Sequence, residues 1–362
     1  MRNKIITIVG TVGVPASYGG FETLAENLAK YHDAVLPNTS LTIYCSSASY
    51  TFKAPSYLSA QLKYVPLNAN GPQSILYDIF SLVSAMWNRN EVILLLGVSG
   101  AIVLPLVRLL SCARIITNVD GIEWRRDKWQ GLAKWFLRFS EKMAVRFSHE
   151  VIADNGGIAN YVKQTYGVDA HVIAYGGDHA MAVEAVAVDE FSLPEKFAFC
   201  VCRIEPENNV HMVLKAFAAL KSHALVMVGN WNNSDYGRTL REKYVAHSHI
   251  FLLDPIYDLG KLKTLRSQAA HYVHGHSAGG TNPSLVEAMH FGKPVLAFDC
   301  NFNRSTTEDR AFFFKTSAAL AHLMETMDET ESERVGRHML EIAQRRYTWR
   351  IVAQQYFALL NA

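Results

Sequence analysis

Cysteine is scarce in this sequence, and its residues are scattered. They are Cys45, Cys112, Cys200, Cys202 and Cys300, an odd number without a CxxC pair. This pattern excludes a disulfide framework and a CxxC metal or redox site, and it favours a reducing cytosol. Cys200 and Cys202 lie in "FAFCVCRI", which is typical of a strand, and we expect their side chains on opposite faces.

The chain also has little excess charge of either sign. Its 35 Lys and Arg residues nearly balance 33 Asp and Glu residues, giving a net charge of +2. The overall charge therefore gives no reason to expect a nucleic acid as partner. A hydrophobic fraction of 49% and a charged fraction of 19% exclude disorder, and a length of 362 residues favours two domains.

No uninterrupted hydrophobic run reaches the length of a transmembrane helix. The most apolar stretch, residues 92–110, is interrupted by two glycines and Pro105 and contains Arg108. We therefore predict a buried strand at 92–96, then a glycine turn and a helix. The start of the chain, "MRNKIITIVG", shows no signal-peptide pattern, so we expect none.

Short apolar runs alternate with helical patterns along the chain. The strand-like runs include "IITIVG", "EVILLLG", "KFAFCVCRI" and "ALVMVGN". This alternation predicts parallel sheets with helical crossovers, and the rhythm restarts after "AYGGDHAMAVEAVAVDEFSLPEK". We therefore predict an α/β chain of two Rossmann-like, doubly wound domains facing across a cleft, at 1–178 and 179–345.

The first loop after a strand, "VGTVGVPASYGGFE", contains glycines but not the GxGxxG fingerprint of dinucleotide enzymes. Gly19 and Gly20 open a helix whose bare backbone could receive an anion. Glu22 fits the same helix start for local dipole reasons alone. Tyr18 either lines the predicted cleft or covers the turn.

Two further loops carry candidate anion-binding groups. In "VCRIEPENNVHMVL", Arg203 leaves a strand end and could bind a diphosphate or pair with Glu205 or Glu207. Asn208 or Asn209 is expected to cap the next helix. In "GGTNPSLVEAM", residues 279–289, a glycine-rich turn precedes a helix whose free amides would suit a phosphate, and Glu287 lies about one turn deeper, where it could accept ribose hydroxyls.

Four ordered motifs together resemble bacterial retaining GT-B glycosyltransferases. They are "GTVGVPASYGGFETLAENLA", "NVDGIEWRRDKW", "VCRIEPENN" and "HGHSAGGTNPSLVEAMHFGKPVLAFDCNFNR". The chain is most similar to the rhamnosyltransferase branch used in capsule and O-antigen assembly. The resemblance implies an N-terminal acceptor-side domain and a C-terminal nucleotide-sugar domain, with dTDP-rhamnose as donor and a polyprenyl-pyrophosphate-linked saccharide as acceptor. It also implies a final helix, at 346–362, that crosses back to the first domain.

The resemblance also implies roles for matching residues. Catalytic roles fall to Asp120, Arg203 and Glu287. Donor binding falls to Gly19, Gly20, Arg203, Asn208, Gly280, Thr281, Asn282, Pro283, Ser284, Leu285 and Glu287. The acceptor side is assigned to Tyr18, Glu22, Asp120, Trp124 and Arg126. No metal or other cofactor is expected, because no DxD-like motif is evident.

Two positions depart from the wider superfamily. Asn208 stands where a lysine beside the diphosphate is usual, and Gly279 stands where the last motif usually begins with an acid. We interpret both as donor specialisation. The alternatives are the same fold with a UDP- or GDP-hexose donor, or a catalytically silent scaffold that binds nucleotide sugars, since loss of preorganised charge weakens catalysis.

A basic aromatic segment, residues 124–147, suggests a membrane surface. It carries seven cations against two acids, a net charge of +5. We predict that an apolar stripe of Leu132, Phe136, Phe139, Met143 and Phe147 is buried. The predicted membrane contacts, besides Trp124, are Lys128, Trp129, Lys134, Trp135, Arg138 and Lys142. We therefore expect a cytoplasmic protein, peripheral on the inner face of the plasma membrane. The alternative is that the stripe packs on the N-terminal sheet and the cations are only solvated.

Overall fold

The computed structural model describes residues 4–16, 19–36, 38–88, 91–122, 124 and 130–362. The chain divides into two compact units. Unit 1 comprises Met1–Tyr175 and Trp349–Ala362, and unit 2 comprises Gly176–Thr348. The predicted boundaries at 178/179 and 345/346 lie close to these divisions, and the last helix belongs to unit 1.

Unit 1 is built on a sheet of eight strands in the described part of the chain, ordered β3-β4-β2-β1-β5-β6-β7-β8. The strands are β1 Ile5–Val9, β2 Ser40–Ser46, β3 Ser56–Tyr57, β4 Ala60–Val65, β5 Val92–Leu96, β6 Arg114–Asn118, β7 Glu150–Ala153 and β8 His171–Val172. All pairs are parallel except β3 with β4. The chain leaves β1 toward β2 on one side and later returns beside it as β5, so the strand order reverses between β1 and β5.

Helices cover this sheet because their apolar residues recur at helical spacing. They are α1 Gly20–Val35, α2 Ser74–Trp87, α3 Leu104–Leu110, α4 Gly131–Phe147, α5 Gly156–Tyr166 and the C-terminal helix Trp349–Asn361. The C-terminal helix packs on α1, where Phe357 stacks on Tyr31 with ring centroids 5.6 Å apart. Asn118, at the end of β6, donates to the Tyr356 hydroxyl at 2.6 Å.

Unit 2 has a parallel sheet of six strands among its described residues, ordered β11-β10-β9-β12-β13-β14. The strands are β9 Phe197–Val201, β10 Ala224–Val228, β11 Ile250–Leu253, β12 His271–His274, β13 Val295–Phe298 and β14 Phe312–Phe314. The helices are α6 His179–Ala182, α7 Val210–Ala219, α8 Asp235–Tyr244, α9 Leu259–Gln268, α10 Pro283–Met289, α11 Asn301–Thr306, α12 Ser317–Thr326 and α13 Glu329–Arg346. The C-terminal helix of the chain is accordingly α14. The α/β class with Rossmann-like parallel sheets is confirmed.

Two sequence expectations about buried segments have different outcomes. The apolar stretch at 92–110 forms the buried strand β5 and, after a turn, helix α3, as predicted. In the described part of the chain, no helix is both long and apolar enough to span a bilayer. The expectation that Cys200 and Cys202 point to opposite faces is wrong, since their sulfur atoms lie 4.0 Å apart. Residues two apart in a strand share a face.

Candidate functional site

The candidate donor site of unit 2 lies where the strand order of its sheet reverses. The central strand β9 has β10 on one side and β12 on the other, so the loops that follow β9 and β12 are neighbours. Crevices at such switch points are where open parallel sheets bind ligands. The first of these loops carries Arg203, and the second leads from His274 into α10.

Hydrogen bonds join these two loops through Asn208. The Asn208 amide donates to the Arg203 carbonyl at 2.7 Å, and its oxygen lies 2.6 Å from Nδ1 of His276. Asn209 donates to the Gly275 carbonyl at 2.9 Å. Asn209 is the N-cap residue of α7, as expected, but it makes no side-chain cap hydrogen bond, because its side chain, like that of Asn208, bonds across to the β12 loop. Asn208 is buried, so any effect it has on a donor would pass through the residues it bonds, Arg203 and His276.

Arg203 itself is half-exposed and loosely held. Its Nη1 lies 3.6 Å from a carboxylate oxygen of Glu205, which is the alternative partner that the sequence offers. An exposed pair at this distance contributes little, about 0–1 kcal/mol. The guanidinium can therefore exchange Glu205 for a ligand anion at small cost.

The start of α10 differs from the expected row of free amides. Pro283 has no N–H, and the Ser284 N–H donates to the Asn282 side chain at 3.0 Å. The Leu285 and Val286 N–H groups both donate to the Asn282 carbonyl. The first-turn amides are thus satisfied by Asn282 and do not form the free row that the sequence predicts. Leu285 is fully buried.

Glu287 is not a solvated surface glutamate. One carboxylate oxygen bonds Nη2 of Arg266, which is 3% exposed, and the other lies 3.3 Å from Nε2 of His179. Burial alone would raise the pKa of Glu287, but the charge of Arg266 and the hydrogen bond from His179 outweigh it and lower the pKa. The carboxylate is therefore ionised and fixed in one orientation, with lone pairs left for further donors.

Sequence patterns missed the residues that hold Glu287, because they come from distant parts of the chain. Arg266 lies in α9 and His179 begins α6. Gly177 packs directly on α10, where a Cβ atom would lie 2.7 Å from the Glu287 nitrogen. The available signal is "YGGDH", a glycine pair followed by a histidine in the segment where the alternation of strands and helices breaks.

In unit 1, Glu22 is bound to the loop after β1 rather than exposed at the helix start. Its Oε1 accepts from the Val12 N–H at 2.8 Å and from the Thr11 hydroxyl at 3.3 Å. Gly19 has φ +130°, and a Cβ atom there would lie 1.9 Å from Glu22 Oε2. Gly19 is therefore required by the buried carboxylate beside it, whether or not a ligand approaches.

Asp120 lies beyond the end of β6 in a left-handed backbone conformation that residues other than glycine seldom adopt. Its φ is +56°, and its N–H donates to the Asn118 side chain at 2.8 Å. The Tyr175 hydroxyl lies 3.5 Å from Asp120 Oδ1, and the same ring packs beside Gly20. Burial, with Asp120 as the next cause, raises the pKa of Tyr175 well above its usual value, so it stays a neutral donor. Unit 1 thus gathers Asp120, Gly20 and Tyr175 beyond its strand ends.

The predicted buried face of α4 is wrong. The helix buries Leu137, Ser140, Glu141, Ala144 and Val145, while Leu132 is 86% exposed. The other members of the predicted stripe, Phe136, Phe139, Met143 and Phe147, are only partly buried. Glu141 turns inward because the Tyr161 and Tyr166 hydroxyls both donate to it at 2.6 Å.

The predicted membrane contacts of α4 are all on its exposed surface. They are Lys134, Trp135, Arg138 and Lys142. Lys134 and Arg138 also lie over the Trp124 ring, at 5.7 and 5.3 Å from its centroid. The remaining predicted residues of this region and of the first loop, Tyr18, Arg126, Lys128 and Trp129, lie outside the described residues.

Comparison with known families assigns the two halves separately. Residues 181–346 match the family described as glycosyl transferases group 1. Residues 3–178 match a domain of unknown function, DUF1972. Residues 181–346, most of unit 2, therefore form a glycosyl transferases group 1 domain. No curated protein matches the sequence.

Solved structures share the fold over the whole chain at low identity. Sucrose-phosphate synthase from Thermosynechococcus elongatus is 16% identical, with a TM-score of 0.80 over 99% of this chain and 98% of that one. HepE from Anabaena, in complex with UDP and glucose, is 16% identical, with a TM-score of 0.73 over 99% of both chains. The catalytic domain of starch synthase IV from Arabidopsis thaliana, bound to ADP and acarbose, is 13% identical, with a TM-score of 0.73 over 100% of this chain and 99% of that one. The fold is thus that of GT-B glycosyltransferases.

Proposed function

We propose that this glycosyltransferase transfers rhamnose from dTDP-rhamnose, with retention at the anomeric carbon, to a saccharide on a polyprenyl pyrophosphate. The observation that carries the donor side is the bonded pair of loops at the switch point of unit 2. They place a loosely held cation, Arg203, and a glycine-rich loop on neighbouring strand ends. The fixed carboxylate of Glu287 adds an acceptor for ribose hydroxyls.

The donor groups have distinct chemical roles in this proposal. The guanidinium of Arg203 and the backbone of Gly279–Thr281 neutralise the departing diphosphate. Glu287 holds the ribose, and Asn208 positions Arg203 through its carbonyl. The acceptor hydroxyl attacks the anomeric carbon on the face from which dTDP leaves. The bond from that carbon to the β-phosphate oxygen breaks, and the hydroxyl proton passes to this oxygen.

Titration with dTDP, UDP and GDP tests the donor assignment. We expect dTDP to bind most tightly, and a clear preference for UDP or GDP would contradict the rhamnose donor. A UDP-hexose is the second candidate, because HepE, which shares the fold, was solved with UDP and glucose. The two donors are separated by the same titration, repeated with the intact nucleotide sugars.

Turnover separates an enzyme from a silent scaffold. Release of dTDP from dTDP-rhamnose is measured with a synthetic polyprenyl-pyrophosphate saccharide. We expect Arg203→Gln to lower kcat about 10²- to 10³-fold, the usual effect of removing one group that stabilises developing charge. Arg334→Gln, on an exposed surface pair of α13, is the matched control and should be unaffected. Donor binding without release of nucleotide, in the unsubstituted protein, would favour the scaffold.

The acceptor side of the proposal includes an anionic membrane, and its support comes from α4. Lys134, Arg138, Lys142 and Arg146 are exposed, whereas Glu141, the one acid of α4, is buried. Trp135, 65% exposed, stacks on Phe139 beside these cations. Basic side chains around exposed aromatic rings are typical of helices that lie in the membrane interface.

Sedimentation with vesicles of phosphatidylglycerol and phosphatidylcholine tests this surface. Replacing Lys134, Arg138 and Lys142 with glutamine should weaken binding about 100-fold, since each cation near an anionic surface contributes about 1 kcal/mol. The control changes three exposed lysines of unit 2, Lys196, Lys221 and Lys243, to glutamine. Equal binding by both triple variants would exclude α4 as the docking surface.

A further inference from the structure

Unit 1 contains a cavity that the donor chemistry does not use. It has a volume of about 420 Å³ and is lined by the loop after β1, the segment between β2 and β3, and strands β3 and β4. Its walls are aromatic, formed chiefly by Tyr50, Phe52, Tyr57 and Tyr64. The size falls within the range of about 300–1,000 Å³ found for small-molecule sites.

Hydrogen bonds fix the tyrosine rings of this aromatic cavity. The Tyr50 hydroxyl donates to the Pro15 carbonyl at 3.1 Å, and the Tyr64 hydroxyl donates to the Ala54 carbonyl at 3.0 Å. The Tyr57 hydroxyl donates to Glu26 at 2.9 Å. Each hydroxyl is thus engaged with the protein, and what the rings offer to the cavity is their apolar surface.

Glu26 connects the two walls of the aromatic cavity. Besides Tyr57, its carboxylate accepts from the Ala16 N–H at 2.8 Å and pairs with Lys30 at 2.7 Å. Burial alone would raise the pKa of Glu26, but these partners outweigh it and lower the pKa. The loop after β1 is thereby tied to the rim strand β3, so the cavity is preformed.

The chemistry of the lining narrows the ligand to one class. Among the described residues that line the cavity, none is charged, which disfavours a nucleotide, a diphosphate or an acidic sugar. Hydroxyl groups of Ser49, Thr51 and Ser56 stand among the aromatic rings. A neutral ligand with one apolar face and a hydroxyl-bearing edge would pack on the aromatic rings and hydrogen-bond to the hydroxyl groups. A sugar ring has these properties.

We propose that the aromatic cavity is a binding site for a neutral sugar ring of the saccharide acceptor. This inference rests on the proposed function for its choice of acceptor. The cavity adjoins the loop after β1, which also leads to Gly19 and Glu22, so it lies at the carboxyl edge of the sheet where unit 1 gathers Asp120 and Tyr175. Such a site would select acceptors by the identity of their sugar ring rather than by their lipid.

Saturation-transfer NMR with simple glycosides tests the site in the full chain without nucleotide. The probes are the methyl glycosides of L-rhamnose, D-glucose, D-galactose and N-acetyl-D-glucosamine. We expect at least one to receive saturation on its ring protons. The Phe52→Ala variant should weaken its binding about tenfold, as expected for one aromatic contact. Phe52 is 80% exposed, so this change should leave folding intact.

A matched variant and a parallel titration separate the outcomes. Phe80→Ala removes a comparably exposed phenylalanine from α2 and should leave glycoside binding unchanged. If no glycoside binds, or if Phe52→Ala and Tyr50→Leu both bind as well as the unsubstituted chain, the site is refuted. Titration with dTDP on the same samples reports the donor side, so a failed cavity with intact dTDP binding leaves the proposed function standing.

Discussion

Replacing Arg266 with methionine tests how much the buried ion pair between Arg266 and Glu287 contributes to the stability of unit 2. Methionine has a similar length and can keep the packing on Phe291, whose ring centroid lies 6.0 Å from the Arg266 guanidinium carbon. Among the described residues, the change leaves His179 as the side-chain partner of Glu287, whose side chain is 17% exposed. Removing one member of a buried ion pair typically costs about 3–5 kcal/mol, because the other charge is left uncompensated.

We expect Arg266→Met to lower the free energy of unfolding at pH 7 by about 3 kcal/mol, at the lower end of that range because Glu287 keeps His179 and some solvent. Glu287→Gln should cost a similar amount, since it leaves Arg266 buried and unpaired. The double variant should lower the free energy of unfolding by about 2 kcal/mol less than the sum of the two single changes, because it leaves no uncompensated buried charge.

Urea unfolding followed by circular dichroism measures all three variants. Arg334→Met, on a pair with Glu331 whose arginine is 57% exposed, is the control and should change stability by less than about 1 kcal/mol. If Arg266→Met costs no more than this control, the buried pair does not hold Glu287, and the reasoning fails. The same samples report function, since loss of the Arg266 charge raises the pKa of Glu287 and should make dTDP binding weaken as the pH falls toward 5.

Three further predictions concern single positions. Gly177→Ala would place a Cβ atom 2.7 Å from the Glu287 backbone, so α10 would have to shift. We expect the loss in the free energy of dTDP binding, measured by titration, to exceed the loss in the free energy of unfolding. Burial raises the pKa of Asp78 from 3.8 to about 8, so stability should fall as the pH rises from about 4 to about 8. Asp78→Asn, which keeps an acceptor for the Gly100 N–H, should stabilise the chain far more at pH 9 than at pH 4 in thermal melts. Burial lowers the pKa of His271 to about 4, so stability should fall between pH 6.5 and 4, and His271→Gln should flatten this slope in urea titrations.

The sequence was sufficient for the sheets because strand periodicity is local. The runs around β1, β5, β9 and β10 are continuous and apolar, as buried parallel strands must be, and the structure places each of them in a parallel sheet. It also located the loops of interest, since parallel strands bring their carboxyl ends to one edge. The short edge strand β3, with two residues, has no such signal.

The hydrogen-bond partners of the candidate residues could not be predicted from local sequence patterns. Arg203 and Glu287 stand out in the sequence by type, but Arg266 and His179, which bond Glu287, are separated from it by whole elements. Asn282 satisfies the first-turn amides of α10 on its own, so a motif that predicts free amides from glycine and threonine misjudged which groups a phosphate would meet. Local patterns name the reactive groups, whereas their orientation depends on long-range partners.

Helix α4 shows how a single charged residue can reverse a prediction based on apolar spacing. Its phenylalanines recur at helical intervals, yet the helix turns Glu141 inward and leaves Leu132 and Trp135 in solvent. A buried carboxylate is tolerated only when donors reach it, and here Tyr161 and Tyr166 from α5 both do. Replacing both tyrosines with phenylalanine should therefore destabilise unit 1 by more than the sum of two ordinary hydrogen bonds, because Glu141 would then be left buried without either donor. The face that α4 buries is therefore determined by where its carboxylate finds hydrogen-bond donors, and these donors lie in another helix.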